Sequence, residues 1–207
     1  MLLSAKDLLA QRHERLLKLR SALTNPPGLA LIWIGEDEQT ASFVRAKQAM
    51  AKKLDCQFWL HHFKTASQNQ ILALISGLNQ RKDVDGIVLQ LPLPKNLTSE
   101  NIISLIDDSK DIDNLKDTDI YRSPTPEGII ELLLYDNIVI KNLETVIIGA
   151  GKLVGAPLAK LYVRNRWPHS VIEKDAEKNI DQIKKADLLI AATGVKNIVK
   201  PTMVTKN

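Results

Sequence analysis

One polar side chain interrupts an apolar stretch near the middle of the chain. Gln90 lies within the run Asp85-Gly86-Ile87-Val88-Leu89-Gln90-Leu91-Pro92-Leu93-Pro94. Ile, Val and Leu favour a strand, and proline cannot donate a hydrogen bond to a sheet, so the strand should end near Leu91. Gln90 would then stand at the carboxyl end of a strand, where open α/β sheets bind ligands. The alternative is a glutamine that only satisfies neighbouring backbone groups.

A second candidate for chemistry is Lys47, which lies four residues after Phe43 in a segment with helical periodicity. That spacing places both side chains on one face of the helix. A partly buried lysine can hold or move a proton, and an aromatic ring can stack on a flat ligand. An isolated lysine on a helix is otherwise a solvated surface charge.

Two further motifs carry polar or backbone groups that could bind a ligand. Asp111 and Asp113 follow Lys110, and either carboxylate could bind a ligand or stabilise a turn. Downstream, glycines 149, 151 and 155 follow an apolar strand and precede a helix, a pattern that can hold a pyrophosphate but also arises from tight packing. An acidic residue about 20 positions further on often binds a ribose hydroxyl. Glu173 or Asp175 could do so, or could be solvated at a strand end.

Strand and helix patterns alternate along the chain, which implies parallel sheets covered by helices. Asp, Ser, Thr and Pro accumulate over residues 107–126, where we expect a domain boundary. We therefore predict an α/β protein with an N-terminal parallel-sheet substrate domain, residues 1–120, and a Rossmann-like cofactor domain, residues 121–207. The predicted strands are 29–34, 57–63, 86–91, 145–148, 170–172 and 188–192, and the predicted helices are 4–23, 40–54, 67–78, 99–106, 127–134 and 156–163.

Composition restricts the partners and the compartment. The formal charge of +4 comes from 28 basic and 24 acidic residues that are interspersed, which argues against nucleic acid as a partner. A single cysteine, Cys56, excludes an internal disulfide and fits a reducing cytosol. No apolar stretch approaches the ~20 residues of a membrane span, and charged residues run through the N-terminal segment. We expect a cytoplasmic protein that binds a small molecule, without a metal or a membrane partner.

In their order and spacing these motifs resemble those of the bifunctional methylenetetrahydrofolate dehydrogenase/methenyltetrahydrofolate cyclohydrolase family. The run from Asp85 to Pro94 is similar to the family's second signature, and Phe43, Val44 and Lys47 are similar to the Tyr-Val-x-x-Lys of its first signature. The resemblance extends from about Leu29 to the end of the chain. It also includes Lys110-Asp111-Ile112-Asp113 for the family's KDVDG, Thr125-Pro126-Glu127-Gly128 for its TPxG and residues 149–157 for its cofactor loop.

The resemblance implies a homodimeric enzyme of one-carbon metabolism and purine biosynthesis. It would oxidise 5,10-methylenetetrahydrofolate with NADP or NAD and hydrolyse the methenyl product to 10-formyltetrahydrofolate. Lys47 would transfer protons, Gln90 would tune Lys47, and Asp113 rather than Asp111 would hold the pterin ring. The implied substrate-binding residues are Phe43, Lys47, Gln90, Leu91, Pro92 and Asp113, and the implied cofactor-binding residues are Thr125, Gly149, Ala150, Gly151, Gly155 and Glu173.

The sequence departs from the family pattern at several positions. Phe43 replaces the family's tyrosine and lacks its hydroxyl, and Asn114 replaces the glycine of KDVDG. Ala150 lacks the charge of the family's arginine, and Glu173 would repel a 2′-phosphate, so we expect NAD in preference to NADP, or weakened cofactor binding altogether. Family members continue beyond Asn207 with a strand, a loop and a helix, so we expect a cofactor domain that is incomplete at its C-terminus.

These departures leave two alternatives to a working enzyme of this family. The chain could be a truncated or degenerate relative that binds folate without catalysis. It could also be an unrelated Rossmann-type dehydrogenase, in which case the match to the second signature would be a coincidence.

Overall fold

The computed structural model describes residues 3–204 and divides them into two compact units. The first unit comprises residues 4–122, and the second comprises Leu3 and residues 123–204. Each unit contains a three-stranded parallel sheet with helices between its strands. The predicted α/β fold class with two parallel sheets is confirmed.

The first unit places its earliest strand in the centre of the sheet. The strand order is β2-β1-β3, and both neighbours run parallel to β1. Parallel neighbours require crossover connections, which the intervening helices provide. The elements are α1 (Lys6–Ser21), β1 (Gly28–Ile34), α2 (Glu38–Lys53), β2 (Gln57–Phe63), α3 (Gln68–Gln80), β3 (Gly86–Leu89) and α4 (Ser99–Leu105).

Alternation along β1 separates two layers of core on the two faces of this sheet. Ala30, Ile32 and Ile34 face a cluster that includes buried residues of α3 and α4. Leu31 and Trp33 face the other side and pack with buried residues of α2. Because successive side chains of a strand point to opposite faces, α2 covers one face, and α3 and α4 cover the other.

Two helices of the first unit, α2 and α3, begin at residues whose side chains cap them. The Asp37 carboxylate accepts a hydrogen bond from the Thr40 N–H at 2.8 Å and thereby caps α2. Ser67 and Gln70 form a reciprocal capping box at the start of α3. These caps fix where each helix starts relative to the strand before it.

The second unit repeats the same arrangement, with strand order β5-β4-β6 and all pairs parallel. Val146 and Ile148 of β4 face one core cluster, and Ile147 faces another that includes Leu158 and Tyr162 of α6. The elements are α5 (Pro124–Tyr135), β4 (Thr145–Ile148), α6 (Gly155–Asn165), β5 (His169–Ile172), α7 (Ile180–Lys184) and β6 (Leu188–Ala191).

Several element boundaries differ from those predicted. The first helix starts at Lys6 with Ala5 as its N-cap, and Ser4 only accepts a hydrogen bond from the Lys6 N–H. Strand β3 ends at Leu89 instead of Leu91, and α5 starts three residues earlier than predicted, because Pro124 is well suited to a first helical turn. Within residues 3–204, no helix combines the length and apolar character needed to cross a bilayer.

Candidate functional site

Gln90 is the first residue after β3, at the carboxyl end of the first sheet. Its N–H donates to the Ile32 carbonyl at 2.9 Å, which extends the pairing with β1 by one residue. Val88 faces α2, and side chains two apart share a face, so half-buried Gln90 also faces α2. The chain then turns through Leu91, which packs on the core, and exposed Pro92, whose peptide bond with Leu91 is cis.

Helix α2 presents Lys47 to Gln90. Ala41 and Val44 are buried against the sheet, and Lys47 lies one turn after Val44, so it is half-buried at the edge of this face. The Lys47 ammonium donates a hydrogen bond to Gln90 Oε1 at 3.0 Å. The amide nitrogen of Gln90 in turn donates to the Leu91 carbonyl at 3.1 Å. The Leu91 carbonyl thereby orients the Gln90 side chain, which in turn orients the Lys47 ammonium.

Phe43 lies one turn before Lys47 on α2, and its side chain is 56% exposed. An aromatic ring with more than half of its surface in water is not part of the core. It is therefore available to stack on a planar ligand that reaches the Lys47 face of the helix.

Asp111 and Asp113 have different environments. Asp111 is 1% exposed, and its carboxylate accepts hydrogen bonds from the backbone N–H groups of Leu115 and Lys116 at 3.0 and 2.8 Å. Asp113 is half-buried. Burial raises the pKa of its carboxyl, the positive charge of Lys47 lowers it, and the negative charge of Asp111 raises it further. Of the two, Asp113 is the one with a carboxylate free of such backbone bonds and within the electrostatic influence of Lys47.

The structure therefore brings together three of the predicted residues of the first unit. Lys47 and Gln90 are joined by a hydrogen bond, and Asp113 is coupled to Lys47 through charge. Leu91 contributes a backbone carbonyl. Phe43 and Pro92 are exposed on the neighbouring segments. The catalytic and binding roles of these residues stay predictions.

An apolar cavity of about 440 Å³ lies beside Lys47. Its walls include Met50, Leu54 and Cys56, together with Gly28 and Gly86 at the amino ends of β1 and β3. Gln90, Phe43 and Asp113 do not line it. The volume falls within the range of small-molecule pockets, so this cavity has room for the apolar part of a ligand that reaches Lys47.

In the second unit, the predicted glycine turn links β4 to α6. Gly149 has φ +100°, and a Cβ there would lie 2.7 Å from the Ala192 carbonyl oxygen. A Cβ on Gly155 would lie 1.9 Å from the Gly149 carbonyl oxygen. Both glycines are therefore required by the packing of the turn against its neighbours.

Gly151 differs from the other two glycines, because nothing lies within 4 Å of the position of an added Cβ. Ala150 and Gly151 are exposed, and the start of α6 has no side-chain cap. In the first turn of α6, the Ala156 N–H donates to the Gly151 carbonyl at 3.1 Å and the Leu158 N–H donates to the Val154 carbonyl at 2.9 Å. Pro157 has no N–H, so the Gly155 N–H is the one of this turn left to bind an anion. The open space at Gly151 permits close approach of a bulky phosphate. These residues fit the pyrophosphate of a dinucleotide.

The remaining predicted cofactor residues lie near strand and helix ends. Thr125 is exposed in the first turn of α5. Glu173 is exposed directly after β5, whose last residue, Ile172, accepts a hydrogen bond from the Gly149 N–H at 2.8 Å. The Asp175 carboxylate accepts a hydrogen bond from Lys178 at 2.8 Å. Glu173 is thus next to the glycine turn, and Asp175 is engaged within its own loop.

Comparison with known proteins agrees with this arrangement. The profile "Tetrahydrofolate dehydrogenase/cyclohydrolase, catalytic domain" matches residues 3–113, and the corresponding "NAD(P)-binding domain" profile matches residues 123–207. The chain belongs to the tetrahydrofolate dehydrogenase/cyclohydrolase family. The resemblance found from the sequence motifs is confirmed.

Individual members of the tetrahydrofolate dehydrogenase/cyclohydrolase family are similar over most of this chain. The bifunctional protein FolD of Acholeplasma laidlawii is 40% identical over 196 residues, which are 89% of this chain and 69% of that protein. The crystal structure of the bifunctional FolD enzyme of Campylobacter jejuni superposes with a TM-score of 0.89 at 29% identity, and the match covers 100% of this chain and 78% of that one. A Trypanosoma brucei FolD structure complexed with NADP cofactor and an inhibitor has a TM-score of 0.87 at 22% identity, which shows the common fold.

One departure from the family pattern has a direct structural explanation. Asn114, which replaces a family glycine, has φ +52°. Asparagine is among the few non-glycine residues that adopt this region readily. Its Oδ1 also accepts a hydrogen bond from the Thr118 N–H at 2.8 Å. The turn therefore keeps the backbone that glycine would allow.

Sequence reasoning missed the structural contribution of Lys110. Its ammonium donates hydrogen bonds to the carbonyls of Leu78, Asn79 and Arg81 at 3.1, 2.8 and 2.8 Å. The only available signal was that this lysine directly precedes Asp111 in the motif. A lysine about 30 residues from the end of α3 gives no sequence pattern that pairs it with those carbonyls.

Proposed function

We propose that this chain oxidises 5,10-methylenetetrahydrofolate to the 5,10-methenyl form with a nicotinamide cofactor, and hydrolyses the product to 10-formyltetrahydrofolate. The observation that carries the proposal is the Lys47–Gln90 hydrogen bond beside Asp113, in a unit that matches the catalytic domain of the family. A half-buried lysine held by a neutral amide is suited to proton transfer with a ligand.

Hydrolysis of the methenyl group requires proton transfers that Lys47 can perform. Water adds to the methenyl carbon, and Lys47, in its neutral amine form, accepts one proton from that water. The bond between this carbon and N5 then breaks, N5 receives a proton, and the new hydroxyl loses its proton as the formyl carbonyl forms on N10. One water is consumed and one proton is released. Gln90 holds the nitrogen of Lys47 in place throughout.

Asp113 would bind the pterin ring during both reactions. Its half-buried carboxylate can accept hydrogen bonds from the N–H groups of the pterin edge, and charge-assisted hydrogen bonds of this kind are strong and directional. Phe43 can stack on a ring of the folate through its exposed face. Together these contacts would set the position of the one-carbon group relative to Lys47.

A bound nicotinamide cofactor would supply the hydride acceptor for the oxidation. The Gly155 N–H at the start of α6 and the open side of Gly151 would hold its pyrophosphate, and Thr125 would contribute a hydroxyl. The Glu173 carboxylate, next to the glycine turn, would accept hydrogen bonds from the adenosine ribose and repel a 2′-phosphate. We therefore propose NAD as the preferred cofactor.

The proposal is tested with the purified chain and 5,10-methylenetetrahydrofolate, with NAD+ or NADP+ supplied separately. The absorbance of the methenyl form reports its formation and its hydrolysis. Lys47→Met should reduce hydrolysis by a factor of about 10²–10⁴, the usual contribution of a general acid or base. Lys52→Met, an exposed lysine on the same helix, should leave both rates unchanged. A folded chain that binds folate but neither oxidises the methylene form nor hydrolyses the methenyl form would favour the non-catalytic relative.

Cofactor choice has its own test. The ratio of kcat/KM for NAD+ to that for NADP+ should exceed one, and Glu173→Ser should lower this ratio by removing a negative charge near the 2′ position. A strong preference of the unaltered chain for NADP+ would refute the assignment of NAD. The homodimer, the cytoplasmic location and the link to purine biosynthesis that the resemblance implies belong to the same proposal, and light scattering coupled to size exclusion tests the first.

A further inference from the structure

The loop that carries Asp113 is attached to the end of α3 through Lys110. The three carbonyls that receive hydrogen bonds from the Lys110 ammonium belong to Leu78, Asn79 and Arg81, at the carboxyl end of the helix. Carbonyls at this end have no partner within the helix and carry partial negative charge. The Leu78 and Arg81 carbonyls also accept the N–H groups of Arg81 and Val84, at 3.2 and 3.4 Å. The Lys110 side chain adds a cation that binds all three carbonyls and fixes the position of the loop.

Asp111 organises the next part of the loop from the inside. A carboxylate that is 1% exposed is costly to bury unless its oxygens are hydrogen-bonded. Here each oxygen accepts one backbone N–H, Oδ1 from Leu115 and Oδ2 from Lys116. These bonds close the chain back on itself across Asp113.

Ile112, between the two aspartates, seats the loop on the sheet. A Cβ at Gly86 would lie 2.8 Å from Cδ1 and 3.0 Å from Cγ2 of Ile112. The isoleucine therefore packs directly on the backbone at the start of β3. This contact links the Asp85-Gly86 pair of one signature to the Lys110–Asp113 segment of another.

These contacts leave Asp113 as the aspartate of this segment that can face a ligand. Lys47 of α2 and Asp111 of its own loop are the charged groups that act on it. Because the Asp111 charge raises the pKa of the Asp113 carboxyl, Asp111 influences Asp113 electrostatically as well as through the backbone.

We propose that Asp111 is a positioning residue: it closes the loop that Lys110 and Ile112 anchor, and so sets Asp113 beside Lys47 to receive folate. This inference rests on the proposed function. Asp111 itself does not touch the substrate. Its carboxylate is buried and accepts hydrogen bonds from the backbone of Leu115 and Lys116.

The test uses Asp111→Asn in the full chain, because asparagine keeps the size of the side chain but loses the charge and one acceptor. The probe for binding is 5-formyltetrahydrofolate, measured by titration calorimetry. We expect its Kd to rise at least about tenfold, as for loss of a hydrogen bond to a charged group. In the free protein, carbon-detected NMR titration of the Asp113 carboxyl, assigned with Asp113→Asn, should show a lower pKa than in the unaltered chain.

Asp107→Asn is the matched control. Asp107 lies at the start of the same loop and accepts hydrogen bonds from the N–H and the hydroxyl of Ser109, at 2.9 and 2.6 Å. Asp107 is not among the groups that act on Asp113. Its replacement should leave both the Kd for 5-formyltetrahydrofolate and the titration of Asp113 unchanged.

The inference is overturned if folded Asp111→Asn binds 5-formyltetrahydrofolate within about twofold of the unaltered chain and Asp113 titrates at the same pH. If Asp111→Asn does not fold, Lys110→Met provides the decision, because it loosens the loop and leaves Asp111 intact; a folded Lys110→Met protein with unaltered affinity overturns the inference. If the unaltered chain binds no folate, the proposed function fails. The NMR titration in the free protein then still decides the role of Asp111.

Discussion

Asp113 is a carboxylate that the fold holds in an unfavourable environment. Its pKa is raised chiefly by burial and also by the nearby charge of Asp111, and the opposing charge of Lys47 does not cancel this. A perturbed carboxyl beside a half-buried lysine is typical of a functional site. Because the pKa of Asp113 differs between the folded and unfolded states, its ionisation affects the free energy of unfolding as well as ligand binding.

Asp113→Asn should therefore increase thermal stability at neutral pH while it weakens folate binding. The folded-state pKa lies above the unfolded value, so ionisation at neutral pH disfavours the folded state. Protonated Asp113 and asparagine are both neutral, so the two proteins should be equally stable below the unfolded pKa of about 3.9. The advantage of the variant should grow as the pH rises through the folded pKa. Thermal unfolding followed by circular dichroism across this pH range measures it.

Asp107→Asn is a control for which the expected change in melting temperature has the opposite sign. Hydrogen bonds from Ser109 lower the pKa of Asp107, so its charged form stabilises the fold above its unfolded pKa. Removal of that charge should lower the melting temperature at neutral pH. If Asp113→Asn also lowered it, the carboxylate would be serving the fold, and its assignment to folate binding would lose its physical basis.

The sequence identified Asp111 and Asp113 as candidates, but its local pattern could not show which of them binds a ligand and which stabilises the loop. Both occur in a segment rich in turn-forming residues, where either could stabilise a turn. Only the tertiary fold shows that Asp111 bonds to backbone N–H groups further along the loop and that Asp113 is influenced by a lysine on α2. The family resemblance favoured Asp113, and the geometry gives a physical reason for that choice.

Phe43→Ala should raise the KM for 5,10-methylenetetrahydrofolate with little change in melting temperature. The ring is 56% exposed, so its removal takes little from the core, whereas a stacked aromatic pair contributes about 0.5–1.5 kcal/mol to binding. Steady-state kinetics and thermal unfolding measure the two effects separately. Phe43→Tyr should retain the low KM, because it keeps the ring and adds the hydroxyl of the family tyrosine.

Met50→Ala is the matched control for Phe43→Ala. Met50 is 43% exposed on the same helix and lines the apolar cavity beside Lys47. Folate bound on the Phe43 side should be insensitive to it. An increase in KM with Met50→Ala and none with Phe43→Ala would place the folate ring in that cavity and contradict the stacking role of Phe43.

At the scale of elements, the turn between β4 and α6 contains two kinds of glycine. Gly149 and Gly155 are needed for close packing of the backbone, and Gly151 leaves open space for the cofactor. Gly155→Ala should destabilise the second unit, because its Cβ would lie 1.9 Å from the Gly149 carbonyl oxygen, a backbone atom that cannot move aside as a side chain could. Gly151→Ala should leave the fold intact, since its Cβ would meet open space, but should raise the KM for the dinucleotide by blocking close approach of the pyrophosphate.

Gly128→Ala is the control for both glycine variants, because its added Cβ also has no atom within 4 Å and it lies on α5. Because alanine is favoured over glycine in a helix interior by about 1 kcal/mol, Gly128→Ala should raise the melting temperature slightly and leave the KM for the dinucleotide unchanged. Thermal unfolding and steady-state kinetics with NAD+ cover all three variants. A normal KM in Gly151→Ala would show that the cofactor does not approach that side of the turn.

Element positions were predictable where strong periodicity coincided with local stop signals. Strands β2 and β4 begin and end at the predicted residues, and the glycine turn follows β4 as expected. The first helix, predicted over residues 4–23, spans Lys6–Ser21, and none of its residues is buried. Charged residues occur in every turn of α1, which dilutes its apolar face, and Arg20 attaches its end to the Asp55 carbonyl at 2.9 Å.

At the scale of the whole molecule, each unit has its own sheet and its own buried clusters. Such an arrangement predicts that a ligand protects the backbone of the unit that binds it more than that of the other. We predict that 5-formyltetrahydrofolate slows amide hydrogen exchange around Phe43 and Lys47 in α2, after β3 and in the loop around Asp113. NAD+ should slow exchange at the β4–α6 turn and in the first turn of α5.

Hydrogen exchange measured by mass spectrometry, with each ligand alone, tests this assignment because it needs no turnover. Lys47→Met should retain the NAD+ pattern, and Gly151→Ala should retain the folate pattern, so each variant is the control for the other ligand. If either ligand protected both sets of segments equally, the predicted division into a folate-binding domain and a dinucleotide-binding domain would be wrong. A folate effect confined to the residues that line the cavity beside Lys47 would instead shift the substrate site along α2 toward Leu54.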